Sequence, residues 1–190
     1  DLSPATEHTL SIHALDSAER ALGRELSLRT APALRTLSIS EVYADPSGKE
    51  PEQEFVELWN YGAQSVPLGE LYLSDASTEL GIRIESDKRL APGARALLVS
   101  SAFTADSALD VPPQAGSLLV RVGKVLTQGG LSNRGEPLYL RDAGGHRLSG
   151  APERPAPRPG HCLTRVSLDP RALEPGSFDY VGTGTCTPGF

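Results

Sequence analysis

Apolar residues along this chain recur at every second position in short bursts, each closed by glycine, proline, asparagine or aspartate. In HTLSIHA, residues 8–14, Leu10 and Ile12 share one face while Ser11 and His13 share the other, and RELSLRT, residues 24–30, repeats the pattern with Leu26 and Leu28. A period of two marks strands, because successive side chains point to opposite faces. Further bursts lie at 34–44, 54–60, 70–75, 80–85, 95–101, 117–122, 136–142 and 146–149, followed by a last strand in HCLTRVS and an irregular tail, DYVGTGTCTPGF. DPSG, NYG, APG, SNRG and DAGG supply the turn chemistry between them. Strands of this length and spacing predict an all-β fold, a two-sheet sandwich. Only SAERALG (17–23) and SAFTADSAL (101–109) have helical character, and both are too short to shape the architecture.

The first two strands read as a hairpin joined by DSAERALGR, a turn of helix or a loop. A lone hairpin is marginal in water, so these strands are expected to lean on something else. TAPAL (30–34) reads as a linker to the longer strand-rich segment, and APERPAPRPG (151–160) as an extended surface crossing. A chain of 190 residues supports one well-buried domain with something smaller attached.

Charge narrows the choice of partner. The net formal charge is -6; residues 34–110 hold 13 acids and 6 bases, and residues 111–190 hold 6 acids and 9 bases. Neither segment is the basic stripe that a nucleic-acid backbone requires. No apolar run approaches the roughly 20 residues of a membrane span. The chain opens at Asp1, contains no Met and lacks the pattern of a signal peptide, so it reads as a piece of something longer. The two cysteines, Cys162 and Cys186, are read as a structural disulfide closing the last loop, with free thiols as the alternative. A disulfide implies an oxidising compartment. The histidines at 8, 13, 146 and 161 show no spacing that would complete a zinc site.

Candidate chemistry concentrates in EVYADPSGKEPEQEFVELWNY, residues 41–61. DPSG has the residue order of a type I turn, which places the acids on a strand-loop-strand connection. A calcium loop counted from Asp45 puts Lys49 at the fifth position, where a ligand is needed, so the EF-hand reading fails. A different calcium site, using Asp45, Glu50 and Glu52, remains open beside the plainer reading of a solvated loop held apart by like charges. No cofactor is expected, calcium being the alternative. Glu57 shares a strand face with Phe55 and Trp59, and there it needs an arginine or a backbone partner, or its pKa rises. No second acid is placed by sequence to share acid and base work with it. Neither G-x-S-x-G, H-E-x-x-H nor a phosphate-binding glycine loop is present, and His161 and Cys162 point to opposite strand faces. No catalytic residue is assigned. Tyr61, in the NYG turn, is the aromatic most available to a ligand.

Ile39-Ser40-Glu41-Val42, Glu54-Phe55-Val56-Glu57-Leu58 with Asn60, Leu68 through Leu73, Leu90-Ala91-Pro92-Gly93, Leu131-Ser132-Asn133 with Gly135, and Thr187-Pro188-Gly189 follow one another in an order that resembles the lamin tail domain in its bacterial form. The resemblance spans roughly residues 34–190 and implies an immunoglobulin-like β-sandwich; the two cysteines depart from the family's general pattern. Residues 1–33 are similar to the closing strands of the bacterial Ig-like domain of S-layer and other surface proteins. Pro4, Thr6, Leu10, Ile12, Asp16, Ala18 and Leu22 fit that pattern, while His8 and Arg20 replace an aromatic residue and an asparagine. Together these resemblances imply a non-catalytic extracellular or cell-surface module of a larger bacterial protein, used for adhesion, anchoring or structural spacing. Its implied partners are a protein or a cell-envelope polysaccharide surface, and another chain that completes the N-terminal strands by edge addition. The alternatives are a calcium-dependent binding module and an accessory domain of a secreted hydrolase.

Overall fold

A computed structural model describes residues 6–18, 20–30, 35–105, 108–172, 175–180 and 186–190. The chain divides into two compact units, Asp1–Leu34 and Arg35–Phe190. Of the expected linker at 30–34, residues 31–34 lie outside the described residues, as do Pro4 and residues 181–185 of the tail.

In the first unit β1 (Glu7–Leu15) and β2 (Ala21–Arg29) form an antiparallel hairpin whose register sets Leu10 opposite Leu26 and His8 opposite Leu28. The expected helical turn over 17–23 is absent from the residues described there. The Asp16 carboxylate instead accepts the N–H groups of Ala18 (2.8 Å) and Arg20 (3.0 Å), closing a tight turn that lets β2 start at Ala21. Leu10, Ile12, Leu22, Leu26 and Leu28 are all exposed.

The second unit contains, in order, β3 (Leu37–Tyr43), β4 (Phe55–Asn60), β5 (Val66–Pro67), β6 (Leu71–Ser74), β7 (Ile82–Arg83), β8 (Arg89–Leu90), β9 (Arg95–Ser100), β10 (Leu118–Gly123), β11 (Leu138–Asp142), β12 (Arg147–Ala151), β13 (Leu163–Arg165) and β14 (Phe178–Tyr180). One six-stranded sheet runs β10-β9-β4-β3-β13-β14 and faces a four-stranded sheet, β12-β11-β6-β7. The short pair β5-β8 stands apart from both. Leu37, Ile39, Val56, Leu58 and Leu98 from the larger sheet meet Leu71, Leu73, Leu138 and Leu140 from the smaller, giving the fully buried core of an immunoglobulin-like β-sandwich. The helical character expected at 101–109 is not realised in the described part, which forms turns.

Three departures from simple alternation position the site. The β3–β4 register shifts between Ile39 and Glu41, a bulge centred on Ser40. Before it, Leu37 and Ile39 point into the core; beyond it Val42 does, so Glu41 and Tyr43 turn to the outer face. Second, β10 pairs with β9 in parallel, which closes that side of the larger sheet with a crossover rather than a hairpin. Third, a smaller apolar cluster of Tyr43, Phe55, Leu97, Val99, Phe103, Cys162 and Cys186 covers part of the outer face of the larger sheet. The sheet is thus buried on both sides there, which explains why EFVELW carries apolar residues on both strand faces.

Candidate functional site

The bulge at Ser40 sets Glu41 directly opposite Glu57 on the outer face, and both are 1% exposed. Two buried carboxylates side by side are costly unless their oxygens are met by donors. The C-terminal segment meets them. Cys186 is joined to Cys162, just before β13, by a disulfide. From there the chain crosses the sheet so that Thr187 N–H donates to Glu41 (3.0 Å to Oε2) and Gly189 N–H donates to Glu57 Oε2 (2.7 Å). Thr164 Oγ1 donates to Glu41 (2.9 Å), while Ser40 Oγ (2.5 Å) and Arg95 (2.7 Å) hold Glu57 Oε1. Glu57 therefore has both the arginine and the backbone partner its strand position calls for. Burial, reinforced by the neighbouring Glu57 charge, pushes the Glu41 carboxyl up to about 7. All four oxygens of the pair are engaged by groups of the chain itself, which makes the pair a fastening for the tail. Cys162 is spent in the disulfide and leaves no thiol beside His161.

Beside this fastening lies a small cavity lined by Glu41, Glu57, Trp59, Arg95, Arg165 and Thr187, among others. Two of its lining residues are in contact, the Arg95 guanidinium lying 5.7 Å from the Trp59 ring centroid, and Tyr61 packs on Trp59 with ring centroids 5.7 Å apart. Tyr61, expected at an exposed turn, is half-buried, and its hydroxyl accepts a bond from Arg171 Nε (2.9 Å). Sequence reasoning missed Trp59, Arg95 and Arg171 as its neighbours. Trp59 and Tyr61 share a strand-face period, whereas Arg171 comes from a loop 110 positions away and gives no local signal.

The acidic loop is organised differently from its sequence reading. Ser47 N–H (2.8 Å) and Gly48 N–H (2.9 Å) donate to the Asp110 carboxylate, which caps the DPSG turn. Glu52 pairs with Lys49. Glu50 accepts a bond from the Asn133 carboxamide (2.6 Å), which links the loop to the turn at 131–136. Among the described residues no group of three or more His, Cys, Asp or Glu side chains converges in a metal-binding arrangement, so Asp45, Glu50 and Glu52 do not form a cage as they stand. The buried acid of the stretch is Glu54, 3% exposed, which accepts the Leu131 N–H and is pushed up to about 7 by burial, then by Glu50 and Glu136. Burial and Glu50 also raise Asp45.

The 131–136 turn owes its form to Gly135, whose φ of +81° is one that side chains rarely adopt. A Cβ there would stand 2.4 Å from the Arg154 carbonyl carbon. Asn60 has a comparable tethering role: its side-chain nitrogen donates to the carbonyls of Gln64 (2.8 Å), Leu90 (2.9 Å) and Ala91 (3.0 Å), tying the NYG turn to the loop before β9. These contacts give physical roles in this fold to Asn60, Leu90, Ala91 and Gly135.

No curated protein and no solved structure matches the chain. The family model of the lamin tail domain matches residues 30–150, a span that runs from before β3 into β12 and leaves the disulfide-held tail beyond it. The bulge, the Asn60 tether and the Gly135 turn all lie inside that span, and the chain belongs to the lamin tail domain family, whose members are non-catalytic immunoglobulin-like modules.

Proposed function

We propose that this chain is an extracellular or cell-surface module of a larger bacterial protein, serving adhesion or anchoring. The observation that carries this reading is the patch of half-buried Trp59, Tyr61 and Arg95 with exposed Arg171 beside it, at the outer face of the larger sheet. Tryptophan, tyrosine and arginine are the residues that dominate binding energy at protein surfaces, because they bury large areas while keeping a polar or charged end for orientation. The Cys162–Cys186 disulfide supports the location, since such bonds persist in oxidising compartments. The partner is a protein or a cell-envelope polysaccharide. Residues 1–33 fit the same reading as the closing strands of an upstream Ig-like domain, whose other strands cover the apolar face of Leu10, Ile12, Leu26 and Leu28.

The experiment is capture of labelled protein by envelope, polysaccharide and protein fractions of the producing cells. Saturable capture that is lost in Trp59→Ala with an unchanged melting temperature supports adhesion through this patch. Absence of capture by every fraction overturns it and leaves structural spacing as the role.

A further inference from the structure

Glu54 is a structural anomaly that the fastening of the tail does not explain. It stands immediately before β4, is 3% exposed, and its Oε2 is fully buried without any hydrogen-bond partner. Buried polar atoms in folded proteins are almost always satisfied, and an orphan points to a water or an ion at that atom. A buried carboxylate oxygen is the most costly kind to leave unmet.

The surroundings favour an ion of positive charge. The charges of Glu50 and Glu136 disfavour ionisation of Glu54, and that of Glu50 disfavours ionisation of Asp45. None of these four acids takes part in an ion pair among the described residues, although Glu52, two positions before Glu54, has its lysine. Asn133 donates its carboxamide nitrogen to Glu50, and the Leu131 N–H binds Glu54, so two carboxylates on one loop are held by one turn of the opposite segment.

We propose that Glu54, with Glu50 and the Asn133 turn, forms a binding site for a divalent cation of the calcium type. Calcium accepts irregular sets of carboxylate, carbonyl and water oxygens, so two carboxylates suffice where backbone oxygens and water complete the shell. This ligand set agrees with the lack of a three-acid cage among the described residues. It also replaces the set that sequence suggested: Glu52 is committed to Lys49, and Glu54 takes its place. The inference is independent of the adhesion reading, which rests on another face of the sheet.

The test is calcium binding to the full chain at pH 8, by equilibrium dialysis and by melting with calcium and then with chelator. One calcium per chain is expected, with a dissociation constant in the range of roughly 0.1 to 1 mM that open extracellular sites show. At 10 mM calcium the melting temperature rises by roughly 3 to 10 °C. Both responses disappear in Glu54→Gln, weaken at least tenfold in Glu50→Gln and persist in Glu52→Gln. No binding at 10 mM calcium overturns the proposal, as does binding that survives Glu54→Gln or is lost in Glu52→Gln. If Glu54→Gln does not fold, the contrast between Glu50→Gln and Glu52→Gln decides.

Discussion

Replacing Glu41 by glutamine isolates the cost of keeping a carboxyl group beneath the tail. In the folded protein this carboxyl is raised from 4.5 to about 7, first by burial and then by Glu57. Between those two pH values the folded state holds a proton that the unfolded chain has released. Stability is therefore greatest below about pH 4.5 and falls as pH rises to about 7, with no further change from this group above that. Each tenfold in proton affinity is worth about 1.4 kcal/mol, so the full loss amounts to about 3 kcal/mol. Glutamine has the shape of the protonated acid, can still accept the Thr187 N–H, and can donate to the Thr164 and Thr187 hydroxyls. Urea unfolding followed by the fluorescence of Trp59, the chain's single tryptophan, measures this at intervals from pH 4.5 to 8.5 in the presence of chelator. The Glu41→Gln protein should lose about 3 kcal/mol less than the parent over that interval, with the two proteins close in stability at the acid end. The slope that remains in the variant belongs in part to Glu54, which is raised to about 7 by the same dominant cause. A parallel pH dependence in the two proteins would refute the reasoning.

Reduction of the Cys162–Cys186 bond, which closes a sequence separation of 24, should lower stability by roughly 3 kcal/mol, and the reduced chain should gain the mass of two protons. Alkylation of both thiols without reductant would contradict the bond. Gly135→Ala should cost roughly 2 to 4 kcal/mol by combining an unfavourable φ with a collision at Arg154, read from the denaturation midpoint. Arg95→Ala should cost roughly 2 kcal/mol by leaving Glu57 without its cation, and a double-mutant cycle with Glu57→Gln should show coupling of at least about 1 kcal/mol; additive effects would deny the pair a stabilising role. The apolar hairpin face should bind an environment-sensitive dye, and Leu10→Asp with Leu26→Asp should abolish that signal; undiminished binding would place the exposed apolar surface elsewhere.

Much of the fold was legible because the strands obey local rules. Alternation and turn residues located most of the longer strands, and the ordered motifs identified the family. The departures share one cause, which is that pairing across the sheet is decided by partners far away in sequence. Strict alternation from Leu37 and Ile39 would carry Glu41 into the core, and only the register with β4 reveals the bulge that turns it outward. β5 and β8 are two residues each, too short for any period to show. The partners of Glu41 and Glu57 on the tail are, apart from the Thr187 hydroxyl, backbone N–H groups of Thr187 and Gly189, which every non-proline residue possesses, so composition does not mark them. Asp45, Glu50, Glu52 and Glu54 looked alike in sequence because charge is counted the same whether a side chain faces water or the interior. Burial separates Glu54 from Glu52 two positions earlier, and a carboxylate flanked by Gln53 and Phe55 at the edge of a strand gives no such warning.

The link between Cys162 and Cys186 also determines how tension travels through the domain. A pull applied to the segment from Thr187 onward reaches Cys186 and passes through sulfur to Cys162, and so directly to β13, which is paired with β3 in the interior of the larger sheet. β14, which lies between the two cysteines in sequence, is bypassed by that shortcut. The first noncovalent contacts to strain are the Thr187 and Gly189 bonds to the two glutamates. A sudden tug thus meets a covalent stop at the sheet rather than peeling β14 away.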